Sequence, residues 1–202
     1  MDQPKNGQLI RNLKNFFICL NYDLFEISKK MNNIDNFSEF NDFEFLVMSL
    51  EDRRYLKHCG YDFKACLREV FKMISMRKHG GASTIDMQMV RTITDFRDLT
   101  LYRKLYEIIL SVLVNYKFSK KQIIRCYLKN AFFGTRLYGY EVAASETFNK
   151  NFECLDYYEK AFLAAMLLRP KPLRCNERWR QSVISRAMYA QRMRAFVKQS
   201  KN

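Results

Sequence analysis

Residues 99–130 read LTLYRKLYEIILSVLVNYKFSKKQIIRCYLKN, and this stretch decides the fold class. Its apolar side chains recur every three or four residues, which predicts a helix over Leu99–Tyr116. The expected buried face of that helix consists of Leu105, Ile108, Ile109, Val112 and Leu113. Ser119 stands where a helix N-cap is needed, so a second helix is predicted over Lys120–Asn130. Two consecutive helices of this kind favour an all-α domain.

The rest of the chain also favours a helical domain. Six glycines and three prolines are too few for the many tight turns of a β-sandwich or barrel. Ser83 and Asp86 stand three residues apart, as in a weak capping box, before a helix predicted around Met87–Ile93. Similar periodicity predicts further helices at Phe63–Arg77, Tyr138–Phe148, Leu155–Leu168 and Glu177–Lys198. Residues 1–45 are expected to form a lead-in, irregular or with one or two short helices, packed on a single domain formed by residues 46–202.

Composition limits the partners that fit this chain. Its 202 residues, 48% of them hydrophobic, are enough for one domain with a sizeable core. Lys and Arg number 35 against 21 Asp and Glu, and the net charge of +14 attracts nucleic acid, anionic membranes and pyrophosphate-bearing substrates alike. Six cysteines occur without a CxxC pair or a histidine at zinc spacing, so no metal–thiolate site is expected. The apolar runs are too short for a signal peptide or a membrane span.

Three segments could carry chemistry, and each also has a plain structural interpretation. Glu51 opens EDRRYLKHCGYD, which could be a catalytic cluster or a solvated helix end whose acids favour the helix dipole. Glu107 lies four residues after Arg103, so the two could form an ordinary ion pair on one helix face. The glycine loop at residues 80–84 could bind an anion through its backbone N–H groups or could be a simple turn.

The order of these segments resembles the peptidoglycan glycosyltransferases of family 51, the lipid II polymerases, over Leu46–Met188. The family pattern E-D-x-x-F-x-x-H-x-G-x-D is matched by Glu51, Asp52, Tyr55, His58, Gly60 and Asp62. The pattern G-G-A-S-T-I-T-Q-Q-L-x-K-N is matched by residues 80–85 and by Gln88. R-K-x-x-E is matched at residues 103–107, and later matches include Ser119, Lys120, Ile123, Tyr127, Leu128, Phe133 and Gly134.

The chain departs from the family pattern at several polar positions. The departing residues are Asp86 and Met87 for Thr and Gln, Arg91 and Thr92 for Lys and Asn, Arg125 for Glu, and Lys129 for Asn. Arg91 keeps the positive charge and can hold a phosphate as a two-pronged donor. Asp86 is expected to place a negative charge beside an anionic substrate, which would weaken binding.

The resemblance implies a single bilobal, lysozyme-like helical domain that transfers a glycan from polyprenyl pyrophosphate to the hydroxyl of lipid II, with inversion. In that reaction Glu51 is the general base, and Glu107 stabilises the leaving pyrophosphate and helps to hold a divalent cation, Mg²⁺ or Mn²⁺. His58 is expected to support the Glu51 loop by hydrogen bonding. The implied substrate-binding residues are Asp52, His58, Gly81, Ser83, Thr84, Gln88, Arg91, Arg103 and Lys104.

Two other functions remain open at this point. Asp86, Met87 and Arg125 suggest a catalytically weakened member, which could bind the lipid-linked precursor and interfere with wall synthesis as a delivered antibacterial effector, whereas retention of Glu51 and Glu107 argues against it. A basic nucleic-acid binder could use Ser119–Asn130 as a recognition helix, but nucleic acid is not the expected partner because such a protein has no need of the carboxylates.

The resemblance implies work at the outer, periplasmic face of the cytoplasmic membrane. The net charge of +14 and the apolar residues near Phe71, Met73, Ile74 and Met76 are expected to hold the chain on an anionic membrane surface. The sequence itself leaves the localisation unknown.

Overall fold

A computed structural model describes residues 5–74, 83–96 and 100–199 of the chain. Within these ranges the fold is all-α, as predicted, and its only sheet is one two-stranded hairpin. The α-helices are α1 Lys5–Met31, α2 Asp42–Glu51, α3 Phe63–Ile74, α4 Ile85–Thr94, α5 Leu101–Lys117, α6 Lys120–Asn130, α7 Tyr140–Phe148, α8 Tyr157–Leu168 and α9 Glu177–Gln199. The hairpin consists of β1 Phe132–Gly134 and β2 Leu137–Tyr138.

Local sequence signals set where several helices begin. Ser119 caps α6 as predicted, and Gln122 completes its capping box. At α4 the prediction was one residue off, because the N-cap is Thr84 rather than Ser83. The Thr84 Oγ1 accepts the Met87 N–H at 3.2 Å. Asp86 therefore has no part in the predicted capping box.

The core surrounds α2, which packs against α8 and α9, while α4 packs against α5 and α6. Seven consecutive residues of α2, from Phe43 to Ser49, are buried. Such a helix is covered on nearly every side, and burial of its apolar side chains is a main stabilising contribution to the fold. Glu51 is the last residue of α2, so the most central helix of the domain fixes its position.

The N-terminal region differs from the expected irregular lead-in with short helices. Residues 5–31 form a single helix of 27 residues, α1. Its Leu20, Ile27 and Met31 are buried in the core, and the Tyr106 hydroxyl of α5 donates to Asp23 at 2.6 Å. None of the helices in the described ranges is long and apolar enough to cross a membrane.

The predicted buried face of α5 is wrong. The buried residues of this helix are Tyr106, Glu107, Leu110, Ser111 and Val114. Leu105, Ile109, Val112 and Leu113 are instead 37–61% exposed, and Ile108 is only half-buried. Two contacts fix the helix in this orientation: the ion pair of Glu107 with Arg91 of α4, and the close approach of Gly60 to the backbone of Ser111.

The contact at Gly60 requires a glycine. Its φ is +87°, and a Cβ there would lie 2.5 Å from the Ser111 carbonyl oxygen. A larger residue would force apart α5 and the loop that follows Glu51.

Candidate active site

Glu51 is a half-buried carboxylate held by a chain of two hydrogen bonds. Gln88 of α4 donates through Nε2 to Glu51 Oε2 at 2.8 Å, and its Oε1 accepts the Tyr127 hydroxyl at 2.7 Å. Tyr127 is buried on α6, so the orientation of the Gln88 amide is fixed. Burial raises the pKa of Glu51, the hydrogen bond from Gln88 opposes that rise, and the negative charge of Asp52 adds to it. A carboxylate with a raised pKa is suited to accept a proton from a hydroxyl group.

Glu107 is buried and takes part in a two-pronged ion pair. Arg91 donates to its two carboxylate oxygens from Nε at 2.7 Å and from Nη2 at 2.9 Å. Arg103 lies one helical turn before it on α5, with its Nε 3.5 Å from Oε1. The hydrogen bond and charge of Glu107 raise the pKa of Arg91. The expected ion pair of Glu107 with Arg103 exists, but Arg91 is the stronger partner.

Lys104 adds a third positive charge beside Glu107. Its ammonium donates to Ser83 Oγ at 2.9 Å. Burial lowers the pKa of Lys104, and the positive charges of Arg91 and Arg103 lower it further, while Glu107 raises it. Three cations around one carboxylate leave an excess of positive charge, which is the arrangement that binds phosphate groups.

Helix α4 carries the contacts to both carboxylates. Gln88 and Arg91 are three residues apart, which corresponds to about 4.5 Å along a helix axis and to the same helix face. Gln88 holds Glu51 and Arg91 holds Glu107. One short helix thus positions a proton acceptor and an anion-binding cluster side by side.

Asp86 does not line a groove, contrary to the expectation. It is fully buried, and both of its carboxylate oxygens accept hydrogen bonds from the Lys120 ammonium, at 2.9 and 3.0 Å. Asn115 also donates to it at 2.7 Å. A buried carboxylate needs such compensation, and Lys120 of α6 supplies it. Asp86 is therefore a structural residue that ties α4 to α5 and α6.

Asp52 and His58 belong to the same buried cluster as Asp86. His58 Nε2 lies 2.9 Å from Asp52 Oδ2, and its Nδ1 lies 3.8 Å from Asp86 Oδ2. Asp52 also accepts the Ile85 N–H at 3.3 Å. These contacts join the loop after Glu51 to the start of α4, as expected for a supporting histidine.

Two places bear on the expected divalent cation. Asp52, His58 and Asp86 offer ligand atoms within 4.8 Å of one another and could hold a metal as a group, although Lys120 already balances Asp86. Glu107, the expected ligand, does not fit a cation in this arrangement. Arg91 occupies both of its oxygens, and its other close neighbours are cationic.

The glycine-rich segment is described only from Ser83 onward. Gly81, an expected substrate-binding residue, lies outside the described residues. Thr84 is buried and donates to the Gly60 carbonyl at 2.7 Å, so it fastens two segments of backbone together. Ser83 reaches the cation cluster through Lys104.

Two residues of the site had no role assigned from sequence. Tyr127 and Lys120 matched the family pattern, but nothing in the sequence showed that they would meet Gln88 and Asp86. Both lie on α6, which packs on α4. They are therefore close to Gln88 and Asp86 in space, although 39 and 34 residues separate them in the sequence. The available signal in the sequence was their match to the family pattern.

Arg125, another departure from the family pattern, lies in a different part of the molecule. It pairs with Glu44 at 2.7 Å and with Asp35 at 3.2 Å. Its guanidinium also donates to the carbonyls of Asp35, Ser38 and Glu39 in the connection between α1 and α2. Met87 is buried as well. The three residues that suggested an interfering protein therefore have structural roles.

Comparison with known proteins gives the family. A family model described as transglycosylase matches residues 23–195. Penicillin-binding protein 1A of Rickettsia typhi is 34% identical over 150 residues, which cover 72% of this chain and 19% of that relative. The biosynthetic peptidoglycan transglycosylase of Haemophilus influenzae is 36% identical over 125 residues, which cover 61% of this chain and 51% of that relative. The chain spans about a fifth to a half of these relatives. With a family match over most of its length, the chain belongs to the transglycosylase family.

Proposed function

We propose that this chain is a peptidoglycan glycosyltransferase that acts on lipid II or a related polyprenyl-pyrophosphate-linked saccharide. One observation carries the proposal: α4 holds Glu51, a carboxylate with a raised pKa, next to the cation cluster at Glu107. Transfer of a sugar from a pyrophosphate requires both a base and a stabiliser of the leaving group. The names of the relatives support the same substrate class.

In the proposed reaction Glu51 is the general base. Its free carboxylate oxygen accepts the proton of the attacking sugar hydroxyl as that oxygen forms a bond to the anomeric carbon of the donor. The bond from the anomeric carbon to the pyrophosphate oxygen breaks at the same time, and the electron pair leaves with the pyrophosphate. Attack opposite the leaving group inverts the anomeric centre.

The cation cluster stabilises the leaving pyrophosphate. Arg91 keeps a third of its side chain exposed, so it can contact a substrate while it remains paired with Glu107. Arg103 and Lys104 add positive charge from α5. An arriving phosphate would favour the protonated form of Lys104, because its negative charge offsets the loss of hydration that lowers the pKa of this lysine.

The proposed substrate is lipid-linked, so we also propose contact with an anionic membrane. The apolar side chains that α5 leaves uncovered provide a surface for it, together with Phe63, Leu67 and Phe71 of α3. Phe71 was expected at this surface and is 61% exposed, whereas the side chains of Met73 and Ile74, and all of Met76, lie outside the described residues. The net charge of +14 adds attraction to anionic lipids.

Vesicle binding tests this surface. Binding to anionic vesicles should fall as salt is raised, and replacing Leu105 and Ile109 with Ser should weaken it. Tyr158→Ser removes an exposed aromatic residue from α8 and serves as the control. Equal loss in the control and the α5 variant would contradict the assignment of the surface.

The proposed activity is tested by incubating the purified chain with lipid II and separating the glycan products by length, with and without Mg²⁺. Polymer is the expected result. If the chain retains lipid II in stoichiometric amounts but forms no polymer, the result would favour the interfering protein that binds the precursor over the enzyme. If the chain forms no polymer and also retains no lipid II, the proposal as a whole is contradicted.

A further inference from the structure

Phe37 is the most exposed large apolar side chain in the described ranges, at 95% exposed. It lies in the connection between α1 and α2, residues 32–41, which we call the Phe37 loop. At this exposure it adds nothing to the core of its own chain. A single exposed apolar residue is common on protein surfaces. The contacts around Phe37 and the rest of the surface give this one a partner.

Side-chain hydrogen bonds hold the backbone on both sides of Phe37. The Phe37 N–H donates to Asp35 Oδ1 at 2.8 Å, and the Ser38 hydroxyl donates to the same carboxylate. Arg125 of α6 donates to the Asp35 carbonyl at 2.9 Å and to the Ser38 carbonyl at 3.2 Å. The loop thus presents the ring in a preorganised position, which lowers the entropy cost of inserting it into a partner.

An aromatic pocket of about 430 Å³ lies between the end of α7, α8 and the start of α9. We call it the α7–α9 pocket, and no residue of the Phe37 loop lines it. The centroid of its Phe162 ring is 5.7 Å from that of Phe148 and 6.0 Å from that of Trp179, and both contacts are edge-to-face. Aromatic walls of this kind favour a further ring, and the volume lies in the range that holds small ligands. A phenylalanine side chain therefore fits this pocket in size and in chemistry.

The rim of the α7–α9 pocket has an excess of positive charge. Its charged residues are Glu159, Lys171 and Arg180. Glu159 is already paired with Lys150, whose ammonium donates to it at 2.6 Å. The Lys171 ammonium donates to the Glu146 carbonyl at 3.0 Å, and Arg180 is exposed; within the described ranges neither cation forms an ion pair with a carboxylate. Two cations therefore remain for a partner of negative charge.

The Phe37 loop has the opposite charge. Its charged residues are Asp35 and Glu39, and residues 32–41 contain no Lys or Arg. The two acidic side chains pair with Arg125 and Lys121 of α6, but they are 52% and 76% exposed. Exposed carboxylates on one surface and cations on the other steer and orient an encounter between the two.

We infer that Phe37 of one copy of the chain inserts into the α7–α9 pocket of a second copy, with Asp35 and Glu39 facing Lys171 and Arg180. The loop and the pocket match in size, apolar character and charge, which favours a second copy over a different protein. The contact joins unlike surfaces, so a copy that keeps only the loop can still bind a copy that keeps only the pocket. The inference goes beyond the proposed function, since neither surface contains a residue with a role in that reaction.

Sedimentation equilibrium of the full chain tests the association. The wild type should associate in the micromolar range, as is typical of a small contact. Phe37→Ser should weaken the association at least about 30-fold, because a few aromatic anchors dominate the energy of an interface. Its melting temperature should equal that of the wild type, because the side chain lies outside the core. Tyr116→Ser, 94% exposed on α5, is the matched control and should leave the association unchanged.

A mixture of two variants tests which surfaces meet. Arg180→Glu reverses a rim charge and should weaken self-association about tenfold. Phe37→Ser keeps the pocket and Arg180→Glu keeps the loop. Fluorescently labelled Phe37→Ser should therefore bind Arg180→Glu with about the affinity of the wild type for itself, as measured by anisotropy. Unlabelled Phe37→Ser, added in place of Arg180→Glu, should not bind.

Three results would overturn the inference. In the first, the wild type stays monomeric throughout the micromolar range, which would leave the pocket to a different partner. In the second, the association survives in Phe37→Ser or falls equally in Tyr116→Ser, which would assign it to another surface. In the third, labelled Phe37→Ser binds Arg180→Glu no better than it binds unlabelled Phe37→Ser, which would show that the loop and the pocket do not meet.

Discussion

Helix α4 borders two clusters of charged residues that differ in how their charged groups are paired and in how far they are exposed. The closed cluster comprises Asp52, His58, Asp86 and Lys120, and each of its carboxylates is paired within the protein. The open cluster comprises Arg91, Arg103, Lys104 and Glu107, in which three cations share one carboxylate. Glu51 lies beside the open cluster, with one hydrogen bond from Gln88.

The difference shows how structural and reactive charges can be told apart in this molecule. A buried carboxylate whose oxygens are hydrogen-bonded within the protein fixes the relative positions of the elements that pair with it. A cluster with an excess of one sign, partly open to solvent, has unused capacity to bind a ligand of the opposite charge. The closed cluster thus supports the loop after Glu51 and the start of α4, the helix that carries Arg91 of the open cluster.

The largest expected effect is on Glu51→Gln. Lipid II turnover should fall about 10²–10⁴-fold, as is typical for the loss of a general base. The fold should survive, because the change is isosteric. Single-turnover rates measure the loss, and Glu146→Gln, on the exposed surface of α7, is the matched control. Near-normal turnover in Glu51→Gln would remove this residue from the mechanism.

The stability of Glu51→Gln has a predicted sign as well. Since the folded state raises the pKa of Glu51, the ionised form destabilises the fold at neutral pH and the protonated form does not. The variant should therefore melt no lower than the wild type at pH 7. Any gain should shrink as the pH falls through the pKa of Glu51, and a clear loss of stability at pH 7 would contradict the direction of the shift.

The second prediction breaks the closed cluster. Asp86→Thr leaves Lys120 without its buried partner and should lower the free energy of unfolding by about 3 kcal/mol. Asp86→Thr combined with Lys120→Met removes both charges and should recover most of that loss. Denaturant unfolding measures both values. A fully stable single variant that also gains turnover would mean that Asp86 repels the substrate.

The third prediction weakens the open cluster without removing its charge. Arg91→Lys loses the two-pronged contact with Glu107, and a single ammonium cannot replace it. We expect kcat/KM for lipid II to fall about tenfold, a loss typical of one charge-assisted hydrogen bond, with most of the fall in kcat because the pyrophosphate gains negative charge as it leaves. Steady-state kinetics check this split, and an unchanged kcat/KM would show that Arg91 does not contact the leaving group.

The smallest predicted effect concerns the pH profile. The hydrogen bond from Gln88 favours the ionised form of Glu51, so its loss should raise the pKa of Glu51 further. Gln88→Leu, made together with Tyr127→Phe to avoid an unpaired buried hydroxyl, should move the acidic limb of kcat/KM upward by about half a pH unit. Tyr127→Phe alone is the reference. If the acidic limb stays in place or moves to lower pH, the hydrogen bond from Gln88 does not lower the pKa of Glu51.

The fold class and most helices could be predicted from the sequence because their signals are local. Apolar periodicity and the Ser119 cap depend only on neighbouring residues, and both predictions were confirmed. The buried face of α5 could not be predicted in this way. It is set by Arg91 and Gly60, which meet α5 from distant parts of the chain, and hydrophobicity alone favoured the opposite face.

The candidate site was predictable in part for the same reason. The order of motifs pointed to Glu51 and Glu107, and the structure brings Gln88 and Arg91 of α4 onto them. The position of Asp86 was missed because its partner, Lys120, is 34 residues away in the sequence. Burial of a charge depends on such distant partners, and a sequence pattern does not show them.

The reactive role of Glu51 with the open cluster and the structural role of the closed cluster are tested most directly by lipid II turnover per folded molecule. One assay compares Glu51→Gln with the paired variant Asp86→Thr, Lys120→Met, after the folded fraction of each has been measured. We expect the paired variant to stay within about threefold of the wild type while Glu51→Gln loses at least about a hundredfold. Equal losses in the two variants, or a larger loss in the paired variant, would contradict the account. In that account Glu51 and the open cluster carry out the chemistry, and the closed cluster has a structural role.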